Sequence, residues 1–332
     1  MKAGKLSETV LKRSVLRQLH TTDPQVLFPP AVGMDFSAVK IQPGEVLVSA
    51  IAARGLGTAV IGTLGVFAAL NNLWCSGARP IGILNSLLVP TSYTENELRR
   101  LIGEIQDVCA SENISVLGGH TEVVRSVTEP VLTVTALGAV EECRMKATQA
   151  VKPGMDILVT KWVGLEGTAV LAIQKEAELR SRYAQPFIER AKAFAGYLSV
   201  RSEAAVAAKS GVAAMHDISE GGIFGALWEL GQCSGVGLEI DLKKIPIRQE
   251  TIEICEFFDV NPYKLVSGGS MLMAAEDGNA LMQAIRREGG KAVVIGKATD
   301  GNDRVLINGE ERRFLETTQT DELWRLENRR IL

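Results

Sequence analysis

The sequence predicts an α+β protein of two domains, and three observations carry that prediction. Its 332 residues are about twice a common domain of roughly 150 residues. Apolar strand-like runs and helix-spaced segments alternate in both halves, without the regular strand–helix–strand beat of a doubly wound sheet. Near the midpoint, Val151-Lys152-Pro153-Gly154 places a Pro-Gly break before a new apolar run, which divides the chain into residues 1–150 and 151–332.

The elements follow in order. Apolar residues at Leu6, Val10, Leu11, Val15 and Leu19 keep helical spacing with basic residues between them, so residues 6–19 read as an amphipathic helix. An irregular proline-bearing stretch follows. Residues 64–78 read as a largely apolar helix carrying Asn71-Asn72, two amides that are costly in such a setting unless partnered by a ligand or by an internal network. Leu98, Leu101, Ile102, Ile105, Val108 and Cys109 mark another helix, opened by a Thr94/Glu97 capping box. The run Ile114-Ser115-Val116-Leu117 reads as a strand that stops at a tight turn, Gly118-Gly119, and residues 131–140 read as a further strand. In the second half, residues 156–163 and 212–215 read as strands, His216 to Gly222 as a turn, and residues 223–230 as a helix. Residues 271–275, 292–295 and 305–307 read as strands around a helix centred on Ala284. No fixed-period repeat is visible.

Composition narrows the function classes. With 36 basic and 39 acidic residues the formal charge is -3, which gives no general attraction to nucleic acid or anionic lipid. No apolar run is long enough to span a membrane and no leader-like segment opens the sequence, so the expectation is a cytoplasmic protein. Cys75, Cys109, Cys143, Cys233 and Cys255 are odd in number and widely spaced, which suggests neither a disulfide framework nor a zinc site. Trp74 and Cys75 read as packing residues and His20 as a surface residue. Glycine is the outlier, at 32 residues of 332, or about 10% against a usual level of about 7%.

The informative glycines stand beside polar residues. Gly55-Leu56-Gly57-Thr58-Ala59-Val60-Ile61-Gly62 has the spacing of a loop that approaches an anion, but lacks the lysine and hydroxyl of a P-loop, so a phosphate role, helix packing and a flexible loop all stay open as readings. Gly118-Gly119-His120-Thr121-Glu122 gathers two glycines, an imidazole, a hydroxyl and a carboxylate. His216-Asp217 through Glu220-Gly221-Gly222 repeats that combination between a strand and a helix. Asp35 is a third acid in a glycine-bearing segment. Carboxylates at strand ends suit magnesium-bound phosphates, and each taken singly is equally a turn residue or helix cap.

In this order the clusters resemble the PurM-like family that unites aminoimidazole ribonucleotide (AIR) synthase, the hydrogenase maturation factor HypE, thiamine-monophosphate kinase (ThiL) and selenophosphate synthetase (SelD). The matching segments are Gly4-Lys5-Leu6, Gly33-Met34-Asp35, Asn71-Asn72 with Gly77-Ala78-Arg79-Pro80, Gly118 to Val123, Gly164-Leu165-Glu166-Gly167-Thr168, His216 to Gly222, and Ser267-Gly268-Gly269. They are most similar to the HypE branch. The resemblance implies an N-terminal mixed α/β domain that pairs through its sheet into a dimeric β-barrel core, a C-terminal α+β sandwich, and a nucleotide between the two. It further implies an ATP- and Mg²⁺-dependent activation or phosphorylation of a small group with release of ADP, and a homodimer acting on a small-molecule substrate or with a maturation partner protein. Carried over by position, Asp35, Asn72 and Asp217 fall at metal and phosphate ligands, and Asp35, His120 and Asp217 at catalytic positions. Lys5, Asn71, Asn72, Gly118, Gly119, Thr121, Glu122, Glu220 and Gly221 fall at nucleotide-binding positions.

The departures are as specific. Ser49-Ala50-Ile51 stands where relatives usually carry Ser-Thr-Asp, and Asn71-Asn72 where they carry Asn-Asp. An asparagine coordinates only through a neutral oxygen and an isoleucine not at all. A shifted metal set of Asp35, Glu122 and Asp217 is one reading. No cysteine follows Cys255, whereas standard HypE chains use a terminal one. The expectations are therefore an ATP-dependent enzyme of this family, a catalytically impaired nucleotide-binding paralogue that serves as a partner-binding module, or AIR synthase itself.

Overall fold

The computed structural model describes every residue except 22, 35, 56–59, 318–319 and 329–332. The chain is a two-domain α+β fold with two mixed sheets. One compact unit comprises Met1–Leu73 and Ala78–Met145, the other Trp74–Gly77 and Lys146–Leu332.

In unit one, strands β1 (Gly4–Lys5), β2 (Glu45–Arg54), β3 (Arg79–Pro90), β4 (Ser115–Val124) and β5 (Val131–Glu141) form an open sheet in the order β1-β4-β3-β5-β2. Only β3 and β4 run parallel. The long crossover this requires is supplied by α3 (Glu95–Glu112), after α1 (Glu8–Val10) and α2 (Ile61–Cys75). The start of α3 is fixed by the Thr94/Glu97 capping box, and its end by Asn113 at φ 56°. Its apolar stripe, from Leu98 to Cys109, is buried. Gly65 packs directly on Leu132 and Gly62 on Leu101 and Glu104, so α2 lies close against β5 and α3. The N-terminal segment departs from one regular helix. After α1 it widens to a π-turn over Leu11–Val15 and tightens to a 3-10 turn over Leu16–Gln18. Arg13 and Ser14 both hydrogen-bond Glu95 at the start of α3. These bonds, Arg13 foremost, hold the Glu95 carboxyl down to about 2.

The expected tight turn at Gly118-Gly119 is not formed. β4 runs straight through both glycines, paired with Leu84 and Asn85 of β3. The reason is steric: a Cβ on Gly119 would stand 2.4 Å from Asn85 Oδ1 and 2.5 Å from its carbonyl oxygen. Gly119 therefore serves close strand approach, not reversal of the chain.

The sheet of unit one has two unlike faces. Leu132, Val134 and Ala136 of β5 are buried on the helix side. The opposite face carries Leu47 and Ile51 of β2, 54% and 66% exposed, in register with Ala139 and Thr135. It continues through half-buried Leu84 and Leu88 of β3. Among the described residues this face is left uncovered.

Unit two holds a seven-stranded sheet in the order β12-β11-β8-β10-β6-β9-β7. Its strands are β6 (Asp156–Thr160), β7 (Val212–Asp217), β8 (Gly237–Asp241), β9 (Met271–Ala275), β10 (Ala292–Thr299), β11 (Arg304–Asn308) and β12 (Glu311–Phe314). Its helices are α4 (Leu165–Gln174), α5 (Glu176–Leu179), α6 (Gln185–Lys192), α7 (Arg201–Lys209), α8 (Gly222–Ser234), α9 (Gln249–Phe258), α10 (Gly278–Arg287) and α11 (Glu322–Asn328). Side chains alternate across a strand. Ile157 and Val159 accordingly join Ile223, Leu227 and Leu230 of α8 in one core. Leu158, Met271 and Met273 join Ala204, Leu281 and Ile285 of α7 and α10 in another.

At the end of β6, Lys161 takes a left-handed φ of 51° that turns its side chain inward. The ammonium donates to Ser199 and Gly269 carbonyl oxygens, each at 2.8 Å, and to Glu203 Oε2 at 3.0 Å. Both charged side chains are buried, with exposures of 9% and 5%. Removing one partner leaves a buried charge uncompensated, whereas replacing both with apolar groups removes the desolvation cost as well. Glu203→Leu should cost about 3–5 kcal/mol. The double variant Lys161→Met/Glu203→Leu should recover most of it, as read from urea unfolding curves.

Candidate functional site

Unit one contains a cavity of about 350 Å³ between the N-terminal segment, α3 and β4. Leu11, Val15, Ile102 and Met34 contribute apolar wall, and Lys5, Asn85, Gly118, Gly119, His120 and Thr121 bring polar groups to it. β1 is only two residues long and pairs with β4 at Glu122 and Val123 alone. Residues 118–121 of β4 thus present an unpaired backbone edge beside the cavity. Backbone N–H groups on such an edge, unshielded by side chains at two glycines, are suited to an anion or a polar ligand.

Four of the sequence-predicted residues on β4 and the one on β1 therefore meet at this cavity. Thr121 is buried and Lys5 exposed. The strand register separates two groups within β4. Gly119 and Thr121 share a face with Asn85, while His120 and Glu122 align with Ser86 and Leu88 on the uncovered face. There His120 Nε2 lies 3.2 Å from Glu122 Oε2, both side chains partly exposed.

The remaining predicted residues of unit one stand differently. Asn71 is buried on α2 and the next residue, Asn72, is exposed, as successive positions on a helix require. Ile51 projects from the uncovered sheet face. Asp35 lies outside the described residues, as does most of the glycine loop at 55–62. Among the described residues no three His, Cys, Asp or Glu side chains gather as a metal-binding group. The residues present fit a nucleotide: the bare backbone edge, an ammonium and a buried amide line one cavity. They do not assemble a donor set for Mg²⁺, because Asn72 is neutral and Ile51 is apolar.

Unit two places Asp217, buried at 6% exposure, at the end of β7. Glu220 is exposed in the turn that follows. His216 Nε2 stands 3.0 Å from Glu229 on α8. Gly221 and Gly222 have φ of 83° and 61°. Gly222 packs against Tyr263 and Leu265 backbone so closely that a Cβ would reach 2.5 Å. The Gly221 N–H is already taken: it donates to Asp321 Oδ2 at 2.8 Å. Asp321 also accepts from Leu323 N at 2.9 Å, at the head of α11. Burial, reinforced by Glu166 and Glu220 and opposed by the two N–H donors, pushes its carboxyl up to about 7.

Comparison with known proteins identifies the family of both units. The model of the AIR synthase related protein N-terminal domain matches residues 35–140, and that of its C-terminal domain residues 152–308. This chain belongs to the AIR synthase related family. A carbamoyl dehydratase HypE from Rhodobacter capsulatus is 29% identical over 245 residues, covering 72% of this chain and 69% of the relative. Among solved structures, hydrogenase maturation protein HypE in complex with ATP has a TM-score of 0.77 at 16% identity, covering 94% of both chains. A HypE–HypF complex structure gives 0.72 at 17%, covering 83% of this chain and 92% of that one. These likenesses to solved structures establish the AIR synthase related fold. No helix among the described residues is long and apolar enough to cross a membrane.

Two residues at these sites were not singled out from the sequence. Asn85 carries no motif signal, being one polar residue in an apolar strand. Its only clue was the interruption of the run from Ile81 to Val89. Asp321 lies 100 positions from its partner Gly221, with no local pattern. Because its folded-state carboxyl titrates near 7 against an ordinary value near 3.9, the folded chain holds the extra proton between those values. Its contribution to stability is therefore greatest below about pH 4 and declines as pH rises toward 7. Asp321→Asn should remove that decline. Relative to wild type, its unfolding free energy should rise by a few kcal/mol, to order of magnitude, between pH 4 and pH 7, as measured in parallel denaturant titrations.

Proposed function

We propose that this chain is an ATP-dependent enzyme of the AIR synthase/HypE/ThiL/SelD type, which activates or phosphorylates a small group with release of ADP. The observation that carries the reading is the unpaired β4 edge at residues 118–121, lying beside Lys5 in a ligand-sized cavity. The Gly118 and Gly119 backbone and the Thr121 hydroxyl would hold phosphate or ribose oxygens, and the Lys5 ammonium would offset phosphate charge. Bound ATP supplies an activated phosphoryl group. His120 is proposed to serve the reaction by moving a proton while Glu122 orients its ring. Relatedness to HypE supports a place in hydrogenase or metallocentre maturation. The substrate is then a small molecule or a group carried by a partner protein, as HypE is found with HypF.

The functional unit is proposed to be a homodimer, closed into a barrel across the uncovered face of the unit-one sheet. Leu47 and Ile51 stand well exposed on this face, as residues covered by a second copy would. Ile51→Asp puts one like charge per copy on the β2 strand of that face, so in sedimentation the particle should fall from dimer to monomer mass with its helical content unchanged.

A second reading has its own support: Ile51 and Asn72 remove charge where the family uses it. It makes the chain a nucleotide-binding module that docks a partner without turnover. Calorimetry and ADP release separate the two. The enzyme reading expects micromolar ATP binding, a drop of about tenfold or more in Lys5→Ala, and ADP release stimulated by substrate. Tight ATP binding, unaltered by Mg²⁺ and without ADP under any candidate substrate, would favour the module. Absence of ATP binding by the folded protein would overturn both.

A further inference from the structure

Asn85 is the one polar side chain on the cavity-facing side of β3, and it is 9% exposed. Its amide takes part in no hydrogen bond among the described residues, although it lines the cavity. The amide opens on the cavity and is not sealed in the core, so its donor and its acceptor are both open to a ligand. Its placement is also fixed. The amide oxygen lies over the Gly119 α-carbon, where a Cβ would come within 2.4 Å. The neighbouring strand thus gives up its side chain where the amide rests.

We propose that the Asn85 amide reads the donor–acceptor edge of a purine bound in this cavity, and selects adenine over guanine. The inference rests on the nucleotide reading above and adds the base preference to it. An asparagine amide offers one acceptor and one donor side by side, the complement of adenine's adjacent amino group and ring nitrogen. Guanine sets two acceptors on the corresponding edge and leaves the amide oxygen opposed to another oxygen. The apolar walls from Leu11, Val15 and Ile102 suit the faces of a flat ring, and Lys5 lies within the same cavity for the phosphates.

The test is calorimetric titration of the full-length chain with ATP and with GTP, alongside the unfolding midpoint of each ligand-free variant. Wild type should bind ATP at least tenfold more tightly than GTP. Asn85→Leu removes both polar groups at similar volume. It should hold its unfolding midpoint, lose about 10- to 100-fold in ATP affinity, and bring the ATP-to-GTP ratio close to one. Asn85→Asp keeps the shape but offers acceptors only. It should lose ATP affinity without gaining GTP affinity, and should bind 7-deaza-ATP, which lacks the ring nitrogen beside the amino group, at least as tightly as ATP, whereas wild type should prefer ATP; a merely structural role does not abolish that preference. This variant carries the test if the leucine variant does not fold. Gly119→Ala, which displaces the amide, should reproduce the loss seen with leucine. If wild type binds ATP but does not prefer it to 7-deaza-ATP, or folded Asn85→Asp keeps that preference, the base-reading role falls and the nucleotide reading stands. If folded wild type binds neither nucleotide, both fall.

Discussion

The parallel pairing of β3 with β4, carried without a break past Gly118 and Gly119, is the constraint on which unit one depends. Parallel neighbours need a long crossover, and α3 provides it, capped at both ends and buried along one stripe. The same pairing sets Asn85 beside Gly119 and divides β4 into two alternating sets of side chains. One set turns to the cavity with Thr121. The other, His120 and Glu122, turns to the uncovered face. The pairing also leaves one edge of β4 bare, because β1 is too short to reach residues 118–121.

In unit two the comparable role falls to polar groups at the ends of strands. Lys161 ties Ser199, Glu203 and Gly269 together from an unusual backbone conformation. Ser267 Oγ accepts the Gly164 N–H at 2.6 Å, and Ser270 donates to the Trp162 carbonyl at 2.6 Å. The segments at 161–168 and 267–270, separate motifs in the sequence, are thereby bound into one structure. Asp321 adds the head of α11 to the turn at Gly221.

Much of this was legible in the sequence, for identifiable reasons. The helix of α3 was plain because its cap and stripe are both local. β9, at residues 271–275, was plain because a strand buried on both faces reads as an unbroken apolar run. The family motifs marked Gly118 to Glu122 and Asp217 to Gly221 as special. The turn at Gly118-Gly119 was misread because a glycine pair signals reversal and close approach equally well, and only the partner strand decides between them. Asn85 was missed for the same reason in reverse: its meaning comes from a residue on another strand. The N-terminal segment kept its helical spacing but not its regular hydrogen bonding, since Arg13 and Ser14 answer to Glu95, far along the chain.

The uncovered face of the unit-one sheet ends in β2, a ten-residue strand with no proline and, among the described residues, with one whole backbone edge unpaired. Natural proteins blunt such edges with proline, inward charge or bulges, and β2 has none of these between Val46 and Ala53. A nascent or isolated copy therefore displays a template for strand addition together with an adhesive apolar surface. A partner strand that pairs with β2 would therefore remove the same edge that makes aggregation possible.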